Sequence, residues 1–239
     1  MEYGQPAGRT DPTALMPAIP FGDKTAWFAI HSEDTRAVGE ALELLDVRPA
    51  NWEYGIWHAI DSYDDDYAVF VAPPANGWTL AVGLPILWES DDHAPARMVE
   101  LSRGFGEAQF FASMRVSSSY VWAKATSGNL VRHFYEGDGQ RHERGEETPE
   151  ERALGLRFFD PPSPESSDPE YWKRADLVFV DEKHVLQVAG KWSVDPSKLG
   201  ELGLAPSLGL LGKPSASYPP KPQFAPRKKV GLIRRFLGR

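Results

Sequence analysis

The chain has no cysteine among its 239 residues. That excludes a disulfide framework, thiol nucleophiles and thiolate metal sites, and it suits a reducing compartment. No apolar run approaches the ~18 residues that a membrane span needs. The first residues, Met1–Asp23, lack a basic stretch followed by an apolar core, so they do not read as a secretory signal. Several motifs are missing as well. There is no Gly-x-Ser-x-Gly elbow, no phosphate-binding loop and no His-x-x-x-His pair. The closest histidines, His133 and His142, are too far apart for one helical or hairpin zinc site. Neither a metal nor a cofactor is expected, and no small-molecule substrate is evident.

What is present is an ordinary globular composition, with 41% apolar, 12% aromatic and 25% charged residues. The charge is distributed unevenly. Overall it is −8, yet residues 213–239 carry eight basic side chains and no acidic one. An acidic body with a basic tail therefore reads as an interaction protein. The body disfavours nucleic acid, whose binding needs concentrated positive charge.

The pattern along the chain predicts an α+β fold, a single domain with an antiparallel β-sheet meander and helices packed on one face. A loosely ordered lead-in is expected over 1–24, the domain over 25–212, and a Pro-rich linker with a basic tail over 213–239. Within the domain, Thr25–His31 reads as a strand. Glu33–Leu45 reads as a helix capped by Ser32, with Val38, Ala41, Leu42 and Leu45 on one face. Tyr54–Ile60, Tyr67–Ala72 and Trp78–Gly83 read as strands, and Ala96–Phe105 as a helix. Three more strands are expected at Ala108–Ser113, Ser119–Ala125 and Leu130–Glu136, then a polar loop, Gly137–Glu147.

From about residue 148 the chain turns helical. Thr148-Pro149-Glu150-Glu151 predicts a capping box with Pro at the first helical position, opening a helix to about Leu156. Asp181 predicts a cap for a helix whose apolar stripe is Val185, Val188, Ala189 and Trp192. Asp195-Pro196 repeats the cap-and-proline device, and Gly200–Gly212 reads as extended coil.

Three sets of residues are candidates for contact with a partner. The first is acidic: Asp64, Asp65 and Asp66 within Asp61–Asp66, and Glu146 and Glu147 within Glu143–Glu151. These could meet a basic protein, because complementary charge speeds and orients association. The second is Trp88, an aromatic in an acidic loop and so a sensible anchor. The other aromatics along the strands, Trp52, Trp57, Trp78, Tyr120 and Trp122, read first as core. The third is the tail, with Lys228, Lys229, Ile233, Arg234, Arg235, Phe236 and Leu237 on an amphipathic stretch. It suits an anionic membrane surface or an acidic groove on a partner.

Gly77-Trp78-Thr79-Leu80, Leu101-Ser102, Phe105-Gly106, Tyr120-Val121-Trp122 and Gly128-Asn129-Leu130-Val131-Arg132 together resemble uncharacterised bacterial α+β proteins of immunity-protein-like type, over residues 25–157. The resemblance rests on packing and turn residues and transfers no catalytic residue. It implies a non-enzymatic, cytoplasmic protein-binding module that neutralises a basic toxin or effector by occlusion. The alternative expectation is an adaptor at the inner membrane face, docked through the basic tail.

Overall fold

The computed structural model describes residues 11–61, 67–87, 93–137, 140–155, 164–175 and 178–215. Among the described residues nine strands form one sheet: β1 (Ala26–Ile30), β2 (Leu45–Ala50), β3 (Val69–Val71), β4 (Thr79–Val82), β5 (Glu107–Met114), β6 (Ser119–Thr126), β7 (Asn129–Gly137), β8 (Gln140–Arg144) and β9 (Gly209–Lys213). Their order across the sheet is β2-β9-β3-β4-β1-β5-β6-β7-β8. Every neighbouring pair is antiparallel. The fold is therefore α+β, and β5 to β8 form the expected meander.

The helices are α1 (Thr35–Ala41), α2 (Trp52–Ile56), α3 (Leu84–Leu87), α4 (His93–Phe105), α5 (Pro149–Leu154) and α6 (Glu182–Trp192). They do not gather on one face of the sheet, and β1 shows why. Every residue of Ala26–Ile30 is buried. Successive strand side chains point to opposite sides, so Trp27 and Ala29 enter one core while Ala26, Phe28 and Ile30 enter another. The first core packs against Trp52 and Ile56 of α2 and Val185, Val188 and Trp192 of α6. The second packs against Val38 and Leu42 near α1, Ile86 of α3, and Met98 and Leu101 of α4. A centre that is apolar on both faces needs cover on both.

Four expectations are corrected in detail. Tyr54–Ile60 is helical rather than extended: α2 continues into a π-helical turn, Trp57–Asp61. Asn51 opens this helix by accepting a hydrogen bond from Tyr54 N (2.9 Å), while its amide donates to the carbonyls of Asp11 and Ala14. Trp52, Gly55, Ile56, Ala59 and Ile60 are buried, which is the helical period. Second, α1 starts from Asp34, whose carboxylate accepts from the amides of Arg36 and Ala37. It ends by Leu42, because Glu43 and Asp46 adopt left-handed backbone and the chain turns into β2.

Third, the expected polar loop Gly137–Glu147 holds β8, whose charged side chains suit the outer edge of a sheet. Fourth, the expected coil at Gly200–Gly212 ends in β9, which lies between β2 and β3 and crosses the expected boundary at 212. Glycine makes that position possible. A Cβ at Gly209 would stand 2.4 Å from the carbonyl oxygen of Val71.

Residues 11–24 are held against the domain rather than loose. Asn51 N donates to the carbonyl of Pro12, Phe21 N donates to that of Pro196, and Phe21 is buried. Helix α6 follows its sequence pattern: Asp181 caps it, and Val185, Val188, Ala189 and Trp192 are its buried stripe. Asp195 likewise caps a 3-10 helix, Pro196–Glu201.

Candidate functional site

The acidic segment Glu143–Glu151 runs from the edge strand β8 into α5, and one buried arginine organises it. Arg132 on β7 shares a sheet face with Trp122 and Phe134, whose rings stack at 3.9 Å. Only 2% of Arg132 is exposed. Its Nε donates to Glu151 Oε1 at 3.0 Å and Oε2 at 3.3 Å. Its Nη1 donates to the carbonyl of Gly145 at 3.0 Å, and its Nη2 donates to Glu143 Oε2 at 2.7 Å. A guanidinium offers a rigid fork of five N–H donors, which lets it hold three separate points of one loop. Burial works against its charge, but the bonds to Glu143 and the nearby charge of Glu151 outweigh that, and its affinity for the proton is raised.

Glu151 completes the arrangement. It accepts from Trp122 Nε1 at 2.8 Å and from Thr148 N at 2.8 Å. The Thr148 hydroxyl accepts from Glu151 N at 3.2 Å and from Trp192 Nε1 at 3.0 Å. The capping box that the sequence predicts is therefore present, with Pro149 at the first turn, and it is also tied to α6 through Trp192. Gly145 has a φ of +75°, and a Cβ there would lie 2.0 Å from the carbonyl oxygen of Val131. Only glycine lets the loop come this close to β7. Arg152 Nη1 donates to the carbonyl of Glu147. The helix ends at Gly155, in left-handed conformation.

Glu146 and Glu147 are exposed between these fixed points. Two acidic side chains thus stand on backbone that Arg132 and Arg152 hold from below. The remaining acidic candidates, Asp64, Asp65 and Asp66, lie outside the described residues. So do Trp88 and the whole tail set, Lys228, Lys229, Ile233, Arg234, Arg235, Phe236 and Leu237. The other aromatic candidates are mostly core, with Trp52, Tyr120 and Trp122 buried. Ser117 and Ser118 sit in the exposed turn between β5 and β6, where Ser117 Oγ donates to the carbonyl of Met114. Among the described residues no group of three His, Asp or Glu side chains is placed to hold a metal ion. Among them, too, no helix is long and apolar enough to cross a membrane.

A second titratable cluster lies where the lead-in meets α6. Glu182 Oε2 accepts from Lys24 N at 3.2 Å and from the Ser113 hydroxyl at 3.1 Å. Burial, and then a hydrogen bond to the neighbouring Asp23 carboxyl, push the Glu182 carboxyl above its ordinary range. Burial also raises the Tyr120 phenol, helped by the charges of Asp181 and Glu182. Ser113 is fully buried, so its hydroxyl serves as a tie between β5, Gly22 and α6.

No family model matches the chain, and no curated protein or solved structure is similar to it. Sequence reasoning located Glu151 as a cap and Arg132 as the end of a strand motif, but it did not join them. Along β7 Arg132 shares one side of the strand with the apolar Phe134, and an arginine in that setting is the sign of a carboxylate partner.

Proposed function

We propose that this chain is a protein-binding module whose acidic segment, Glu143–Glu151, engages a basic partner protein. In its finer form the reading is of an immunity-type protein that blocks a basic toxin or effector by occlusion. The supporting observation is the Arg132 clamp, which fixes Glu143, the Gly145 carbonyl and Glu151 from one buried guanidinium. A loop already held in one conformation gives up little entropy on binding, and its charges keep their spacing. Exposed Glu146 and Glu147 then supply long-range attraction that orients the encounter.

The test is a crosslinked capture from the native host, read by mass spectrometry, with three baits. These are the wild-type chain, Glu146→Lys/Glu147→Lys, and Glu201→Lys, which reverses an exposed charge on a different element. A basic protein held by the wild type and by Glu201→Lys, but lost from the double variant, is the expected result. A partner retained by the double variant removes the segment from the interface. If no stoichiometric partner is held by the wild type, the binding-module reading fails.

A further inference from the structure

A cleft of about 480 Å³ opens beside α6. Its volume lies in the range of small-molecule sites. One wall is the face of α6 that carries Leu186, Gln187, Gly190 and Lys191, adjacent to the stripe it buries. The Ser193–Asp195 turn, the 3-10 helix after it, Leu154 of α5 and Asn76 of the β3–β4 turn complete the lining. Gly190 lets α6 and the following turn pack closely, since a Cβ there would come within 3.1 Å of Asp195 Cβ.

The polar groups of this cleft are unequally committed. Its carboxylate, Asp195, is occupied within the fold. It accepts from Ser197 N at 3.0 Å and from the Ser197 hydroxyl at 2.6 Å, and it pairs with Lys198 at 3.6 Å. The Ser193 hydroxyl is also engaged, donating to Gln109 Oε1 at 2.7 Å. Asn76, Gln187 and Lys191, by contrast, have no side-chain hydrogen bond or ion pair among the described residues. An uncommitted ammonium and two uncommitted carboxamides therefore face a cleft whose remaining lining is aliphatic. A bound cation would find the one carboxylate among the described lining residues already neutralised, whereas an anion would find donors without partners.

We propose that the cleft binds a small monocarboxylate with an aliphatic body. The carboxylate sits at Lys191, and the hydrocarbon lies against Leu154, Leu186 and Leu202. This site is separate from the acidic segment and adds a small-molecule ligand to a chain whose sequence suggests none. A ligand here would bridge α5, α6 and the 3-10 helix, and so would stabilise α5, into which the acidic segment runs.

The test is calorimetric titration of the full chain with octanoate, using octanol and octylamine as probes of equal length. Octanoate should bind, and octanol should bind at least about tenfold more weakly, the contribution of one charge-assisted hydrogen bond. Lys191→Glu changes an exposed residue and should weaken octanoate by a similar factor. Leu202→Trp, at a rim position that is 36% exposed, should block all aliphatic probes by filling the mouth. The proposal is overturned if octanoate does not bind, if octanol binds equally well, or if Lys191→Glu changes the affinity by less than about twofold.

Discussion

Replacing Arg132 with methionine removes one cation and leaves its partner buried. Glu151 is only 7% exposed, so its carboxylate would keep the donors Trp122 Nε1 and Thr148 N but lose its counter-charge. The Gly145 carbonyl and Glu143 would also lose their partner, although both lie where water can replace it. Breaking a buried ion pair by removing one member costs about 3–5 kcal/mol. That is a large share of the 5–15 kcal/mol by which domains are typically stable. Urea unfolding followed by tryptophan fluorescence should show it as a fall in midpoint of roughly 1–2.5 M, for slopes of about 2–3 kcal/mol/M. The double variant Arg132→Met/Glu151→Gln removes the stranded charge and should recover part of the loss. If Arg132→Met costs less than about 1 kcal/mol, the pair behaves as a surface pair and the clamp is not organised as argued. If the double variant is no more stable than the single one, the stranded carboxylate is not the cause.

Other perturbations test separate parts of the fold. The Glu182 carboxyl is raised in the folded state above its ordinary value of 4.5, so its contribution to stability is fullest below that value and declines as pH rises through the folded pKa. Asp23→Asn removes the neighbouring charge and should flatten that decline, which thermal melts across pH will show. A decline of unchanged steepness would break the assignment. Thr148→Ala removes the acceptor for both Glu151 N and Trp192 Nε1 and should cost about 1–3 kcal/mol by urea unfolding. Gly209→Ala drives a methyl group into the Val71 carbonyl and should cost at least about 1–3 kcal/mol as the strand shifts. A melting temperature unchanged by that substitution would mean β9 is not seated between β2 and β3.

Much of the architecture was legible because local and global signals agree. The cap at Asp181 and the stripe Val185–Trp192 mark α6 from both ends, and the aromatic runs of β5, β6 and β7 behave as strands. Tyr54–Ile60 reads as a strand because aromatic and β-branched residues favour strands in general, while the side chain that caps the actual helix, Asn51, is held by carbonyls of Asp11 and Ala14 that proximity in sequence does not reveal. The edge strand β8 hid behind its charge, and β9 hid behind glycine, whose value there is its absence of a side chain. In the candidate site, the Thr148 box was visible because all its parts are local. The bonds from Arg132 were not, because they form only once β7 and α5 have packed.

The placement of β9 carries a consequence for synthesis. Among the described residues β2 pairs with β9 alone, in a register that sets Ala50 opposite Gly209. As the chain leaves the ribosome, β2 emerges early and has no neighbour until almost all of the domain has followed it. Contacts this distant in sequence form late and slowly. Until then β3 also lacks its partner on that side, so this flank of the sheet presents unpaired backbone to other nascent chains. Release of residues 209–213 is the event that closes it, which makes β9 the latch of this flank of the sheet.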